Sequence, residues 1–153
     1  MRLLLRRRYP RESGAELVEM AVVLPLLLLL IAGIVDFAFL LQSFEVVTNA
    51  AREGARIGVL PGYNYGCSTC DVENRVAQYV SSAGLTGTPT TTVTPTTITP
   101  AGGGAPFPAI QVSVSYGYRF LFIGPVVSLL GKSFVTTKTF TATSVMRVEV
   151  AGS

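Results

Sequence analysis

The sequence predicts an α+β chain in which one long N-terminal helix crosses a membrane and runs on into a small outer domain with a short second helix and an antiparallel β-sheet. Three observations predict it. Met20 to Phe44 is apolar apart from Asp36, Gln42 and Ser43. A helical spacing of small residues follows without a break, and strict apolar–polar alternation occupies the last third of the chain. Helices first and strands afterwards point to an antiparallel sheet rather than to repeated βαβ units.

Composition agrees. Of 153 residues, 49 % are hydrophobic and only 14 % charged, which is apolar for a water-soluble domain of this size and fits a membrane segment plus a polar domain. At about 1.5 Å per residue, Met20–Phe44 is long enough to span a hydrocarbon core of about 30 Å. Five arginines (Arg2, Arg6, Arg7, Arg8, Arg11) against one glutamate give the segment before Gly14 a charge of +4, which leaves −1 for the rest of a chain whose total is +3. The basic balance therefore belongs to the tail. It places the N-terminus in the cytoplasm by the positive-inside rule and gives no reason to expect a nucleic-acid partner. The apolar run is longer than a secretory h-region, and no small-x-small site follows it, so it reads as a retained anchor.

The elements follow in order. "SFEVVTNAAREGARIGVLPG" continues the first helix until Pro61 and Gly62, giving a helix over 15–60 with the span at about 20–44. Ala51, Gly54, Ala55 and Gly58 fall at i, i+3, i+4 and i+7, a stripe that lets another backbone approach closely. Pro25 should loosen the helix near its start. The outer domain, 61–153, opens with Cys67 and Cys70 in a C-x-x-C. With no further Cys and no His, an intrachain zinc site is excluded, and a small disulfide in an exported domain is the expectation, with unpaired thiols the alternative. Asp71 is a candidate N-cap for a second helix with Val72, Val76, Tyr79 and Val80 on its apolar face and Gly84 as C-cap. The Thr-, Pro- and Gly-rich stretch 86–108 reads as an extended linker or an edge strand. "AIQVSVSYGYRFLF" is the clearest strand, with Ile110, Val112, Val114, Tyr116, Tyr118, Phe120 and Phe122 on one face. "IGPVVSLLGKS" is an apolar connection near the membrane, and "SFVTTKTFTATSVMRVEV" supplies one long strand or two short ones, with Phe134, Phe140, Ala142, Met146 and Val148 on one face.

Function turns on what stands before the span. After the arginines come Gly14-Ala15-Glu16-Leu17-Val18-Glu19 and then the apolar helix. This resembles the processing signature of type IV prepilins, in which a membrane aspartyl peptidase cuts after the glycine and a glutamate is the fifth residue of the product. The resemblance places the cut between Gly14 and Ala15, makes residues 1–14 the leader and Glu19 the key acid. A new α-amine on Ala15 would be largely cationic at neutral pH and costly among packed helices unless paired; Glu19, one turn away, is positioned to pair with it, and Glu16 could alter that pairing. Acids also suit a helix N-terminus electrostatically, which is the plainer reading of Glu16 and Glu19.

A longer stretch is more specific. "GAELVEMAVVLPLLLLL", "GIVDF" at Gly33–Phe37 and "NAAREGAR" at Asn49–Arg56 resemble the TadE-like family, pseudopilins of the tight-adherence (Tad/Flp) type IV pilus system. Two positions depart from that family's usual pattern: Glu16 replaces a small apolar residue and Met20 a Phe. The resemblance implies a pilin-like fold and a single-pass protein of the cytoplasmic membrane with its C-terminal domain outside. It also implies the prepilin peptidase, other Tad pilins and pseudopilins, the inner-membrane assembly platform and membrane lipid as partners. The role implied is structural: pilus assembly, initiation or tip capping, and so adhesion. The competing reading is an uncleaved single-pass protein whose outer domain binds a ligand unrelated to pili. An enzyme is not expected, since there is no His and no site of convergent acid, base and nucleophile; no cofactor and no metal are expected either. "AGGGAP" lacks the strand-to-helix setting of a phosphate cradle. Asp36 is the intramembrane polar residue, expected either to pair with a basic group on a partner helix or to meet water at the outer interface.

Overall fold

The computed structural model describes residues 12–60, 68–125 and 137–148. Helix α1 spans Glu12–Gly58, 47 residues, roughly 70 Å of helix at 1.5 Å per residue. It is continuous through Gly14, Pro25 and Gly33. Its two halves face different surroundings. From Leu17 to Phe44 most large apolar side chains are exposed, whereas Val47, Ala50, Ala51 and Ala55 are fully buried in the domain core. It is the one helix among the described residues long and apolar enough to cross a membrane.

Helix α2, Ser68–Ser82, begins three residues before the expected cap, so Asp71 is an acidic first-turn residue rather than the N-cap. Its Val72, Val76 and Val80 are buried as expected. It ends in a Schellman arrangement: the Leu85 amide donates to the Val80 carbonyl (3.3 Å), the Gly84 amide donates to that of Ser81 (3.0 Å), and Gly84 takes a φ of 82° that favours glycine.

Three strands form one antiparallel sheet in the order β1-β2-β3: β1 Thr90–Ile98, β2 Phe107–Arg119 and β3 Thr137–Arg147. Of the two readings of 86–108, extended linker or edge strand, the edge strand holds over 90–98. Its β-branched threonines suit a pleated surface, and Pro95, which cannot donate to a ladder, is accommodated because β1 is an edge strand. The β1–β2 hairpin turns at the glycines, where the Gly103 amide donates to the Pro100 carbonyl.

Alternation decides which face is inside. In β2, Ile110, Val112, Val114, Tyr116 and Tyr118 are buried against the helices. In register beside them stand Val93 opposite Val112, and Ala142, Phe140 and Met146 opposite Val114, Tyr116 and Ile110. On the outer face Ser113 and Ser115 pair with Thr143 and Thr141 through their hydroxyls. The domain is thus two layers, with α1 and α2 on one face of the sheet. Phe134 and most of the apolar connection after β2 lie outside the described residues.

Candidate functional site

Gly14 sits in the first turn of α1 and is exposed, as are Ala15, Glu16 and Glu19. The helix expected over 15–60 begins instead at Glu12 and so includes the glycine. A Cβ built on Gly14 meets nothing within 4 Å. Ala15 and Glu19, four residues apart, share one helix face, with Cβ atoms about 5–6 Å apart in regular geometry.

The second feature is Asp36. Its side chain is fully buried, and it does something neither expectation foresaw: it binds backbone of its own chain, some 85 residues away. One carboxylate oxygen (Oδ1) accepts from the Leu121 amide at 3.0 Å. The other (Oδ2) accepts from the amides of Phe122 at 3.0 Å and Ile123 at 2.8 Å. The Tyr118 hydroxyl donates to the Asp36 carbonyl at 3.2 Å. Residues 123–125 are helical, so the carboxylate works as an N-cap supplied from another element. Bonds from neutral amides to an anion are the stronger kind, and three of them replace most of the hydration the carboxylate has lost. The chain segment leaving β2 is thereby fastened to α1 at a defined level.

The small-residue stripe is a contact within the domain. A Cβ on Gly54 would lie 2.9 Å from Val76 Cγ2, 3.2 Å from Val72 Cγ1 and 3.3 Å from Val112 Cγ1. One on Gly58 would stand 3.4 Å from Ile110 Cγ2. With Ala51 and Ala55 fully buried beside them, the four residues seat α1 on α2 and β2.

A further tie joins the helices. Arg56 chelates Glu53 from one turn away (2.9 and 2.8 Å), and Arg75 of α2 reaches the same carboxylate at 3.0 Å. The hydrogen bonds from Arg56, then those from Arg75, bring the Glu53 carboxyl from 4.5 down to about 2. Sequence reasoning missed Glu53 and Arg75 as partners, as it missed Tyr118 and the amides of Leu121–Ile123. Cys67 lies outside the described residues, and with it the disulfide expected between Cys67 and Cys70.

The structure does not bring Glu16 and Glu19 to Asp36 or to the stripe; Asp36 stands near the middle of the rod, and the stripe lies toward its other end. What unites them is sequence. No curated protein and no solved structure matches the chain. Residues 14–56 match the family model of TadE-like proteins. That match opens on Gly14, passes through Glu19 and Asp36 and ends just past Ala55, so over this length the N-terminal helix is similar to that of TadE-like proteins.

Proposed function

We propose that the chain is a pseudopilin of a Tad-type pilus, made as a precursor, cut between Gly14 and Ala15 by a prepilin peptidase, and held in the cytoplasmic membrane by α1 with its sheet domain outside. The observation that carries this is the coincidence of the family match with the cleavage grammar: the matched segment starts on Gly14 itself and has Glu19 as the fifth residue of the product. The exposed position of Gly14–Glu19 at the first turns of the helix supports it.

In this reading the protein does its work by packing. Removal of residues 1–14 discards the arginine tail and leaves a cationic amine at the inner edge of the apolar helix. Glu19, of the same chain or of a neighbour, neutralises that amine when the helices gather, and the ion pair fixes the depth at which a subunit joins. Other Tad pilins, pseudopilins and the assembly platform are the partners, and initiation or tip capping is the role that suits a domain of this size. We assign no catalytic role.

The test is the mature N-terminus. Expressed with a Tad prepilin peptidase, the protein should begin at Ala15 by mass spectrometry, and Gly14→Val should retain the leader. Because nothing packs on Gly14, loss of cleavage in that variant would not come from misfolding of the domain. Retention of Met1 by the wild-type chain in the presence of active peptidase would refute the proposal.

A further inference from the structure

Leu121 and Phe122 are large apolar residues left 59 % and 47 % exposed at the end of the sheet domain, directly beside the membrane helix. With Pro25, Leu28, Leu29 and Ala32 of α1 they line a shallow apolar groove of about 410 Å³. Counting about 20 residues outward from Glu19, the hydrocarbon of a bilayer ends near Phe39. Leu28 and Leu29 then stand roughly 15 Å inside that boundary. A segment that shares a groove with them cannot be in water while α1 is in lipid.

We propose that the turn Leu121–Ile123 is a second membrane-embedded element, dipping into the outer leaflet against α1 with phospholipid acyl chains as its partner. The inference goes beyond pilin processing and rests only on α1 crossing the membrane. Lipid is the occupant because the groove is continuous with the exposed apolar surface of α1, where Leu24, Leu26, Leu27, Leu28 and Ile31 are all 48 % exposed or more.

Asp36 supplies the independent argument. Backbone amides at membrane depth find no water and must be satisfied within the protein. The amides of Leu121, Phe122 and Ile123 lie just before and at the start of the helical turn 123–125, and the Asp36 carboxylate takes all three. An acid inside an apolar run is costly in lipid. Its position is explained if it is the internal acceptor that lets a turn enter the bilayer.

The chain contains no Trp, so a single introduced one is a unique reporter. The full chain carrying Phe122→Trp is reconstituted in vesicles of phosphatidylcholine brominated partway down the acyl chains. Leu29→Trp serves as the reference for the buried helix. The expected result is blue-shifted emission from Phe122→Trp, strong quenching by the bromines and little by aqueous acrylamide. Adding Asp36→Leu to that variant should restore acrylamide quenching and weaken bromine quenching. If Leu29→Trp is quenched by bromine while Phe122→Trp emits as in water and is quenched by acrylamide, the turn is outside the membrane and the proposal falls while the anchor stands. If neither is quenched by bromine, α1 is not in the bilayer and both fall. Should Phe122→Trp fail to give the wild-type far-ultraviolet circular dichroism, Leu121→Trp replaces it, with the same outcomes.

Discussion

The tightest contact in the domain gives the sharpest prediction. Replacing Gly54 by Ala adds one methyl to a helix, which alone would favour folding by about 1 kcal/mol. The structure reverses the sign. The new carbon would lie 2.9 Å from Val76 Cγ2, with Val72 and Val112 methyls at 3.2 and 3.3 Å. All three valines are fully buried, two come from α2 and one from β2, and valine in a helix is confined to essentially one rotamer. None can swing aside, so α2 or the sheet must move away from α1. Overpacking of this kind costs about 1–3 kcal/mol, so the net loss should be about 1 kcal/mol. In a domain this small that lowers the melting temperature by roughly 4–8 °C. The assay is thermal unfolding of the full chain in detergent, followed by near-ultraviolet circular dichroism of the tyrosines. Val76→Ala in the same chain removes the nearest atom, so the double variant should be more stable than the two single losses sum to, by about 1 kcal/mol. Gly33→Ala, where a Cβ meets nothing within 4 Å, is the control. An unchanged or higher melting temperature for Gly54→Ala, or strict additivity with Val76→Ala, would refute the claim that this glycine is set by the approach of α2.

Three further outcomes are expected. Glu19→Ala should be cut normally yet fail to support pilus assembly, read by counting pili on cells that make only the variant; normal piliation would remove Glu19 from the assembly step. Asp36→Leu leaves three amides without their acceptor and should destabilise the join between α1 and the sheet domain by about 3 kcal/mol, visible as faster hydrogen exchange at Leu121, Phe122 and Ile123. Glu53 has its carboxyl lowered from 4.5 to about 2, so its contribution is intact above pH 4.5 and disappears as pH falls through about 2; Glu53→Gln should therefore be less stable than wild type at neutral pH and indistinguishable from it at the acid end of that range.

The parts of this fold written in periodicity were legible. The β2 face from Ile110 to Tyr118 and the stripe from Ala51 to Gly58 are regular patterns, and the structure buries both. The Gly84 cap was legible because its chemistry is local. Asp36 was recognisable as out of place, but its partners were not, since they are backbone amides some 85 residues away and an amide leaves no mark in the sequence. The same holds for Arg75, one of several charged residues on α2 whose choice of Glu53 depends on how the two helices cross. The Thr-rich stretch left a linker and an edge strand open because its prolines argue locally against a central strand, and the decision lay with a neighbour: β2 offers a complete edge from Phe107 to Ser115. At Gly14–Glu19 the reverse is true. Gly14 and Glu19 touch nothing that identifies them, and only their spacing speaks.

One continuous helix forms both the apolar span and the spine of the core, and this has a mechanical consequence. There is no joint between anchor and domain. A tension applied at the sheet reaches the membrane half of α1 by two routes in parallel, through the interlocked valines around Gly54 and through the three amide bonds at Asp36, which grip the rod some 18 residues apart, about 27 Å. Two separated grips resist torque as well as pull. The domain cannot swivel on its stem, so whatever orientation α1 takes among neighbouring helices is the orientation in which the outer sheet is presented.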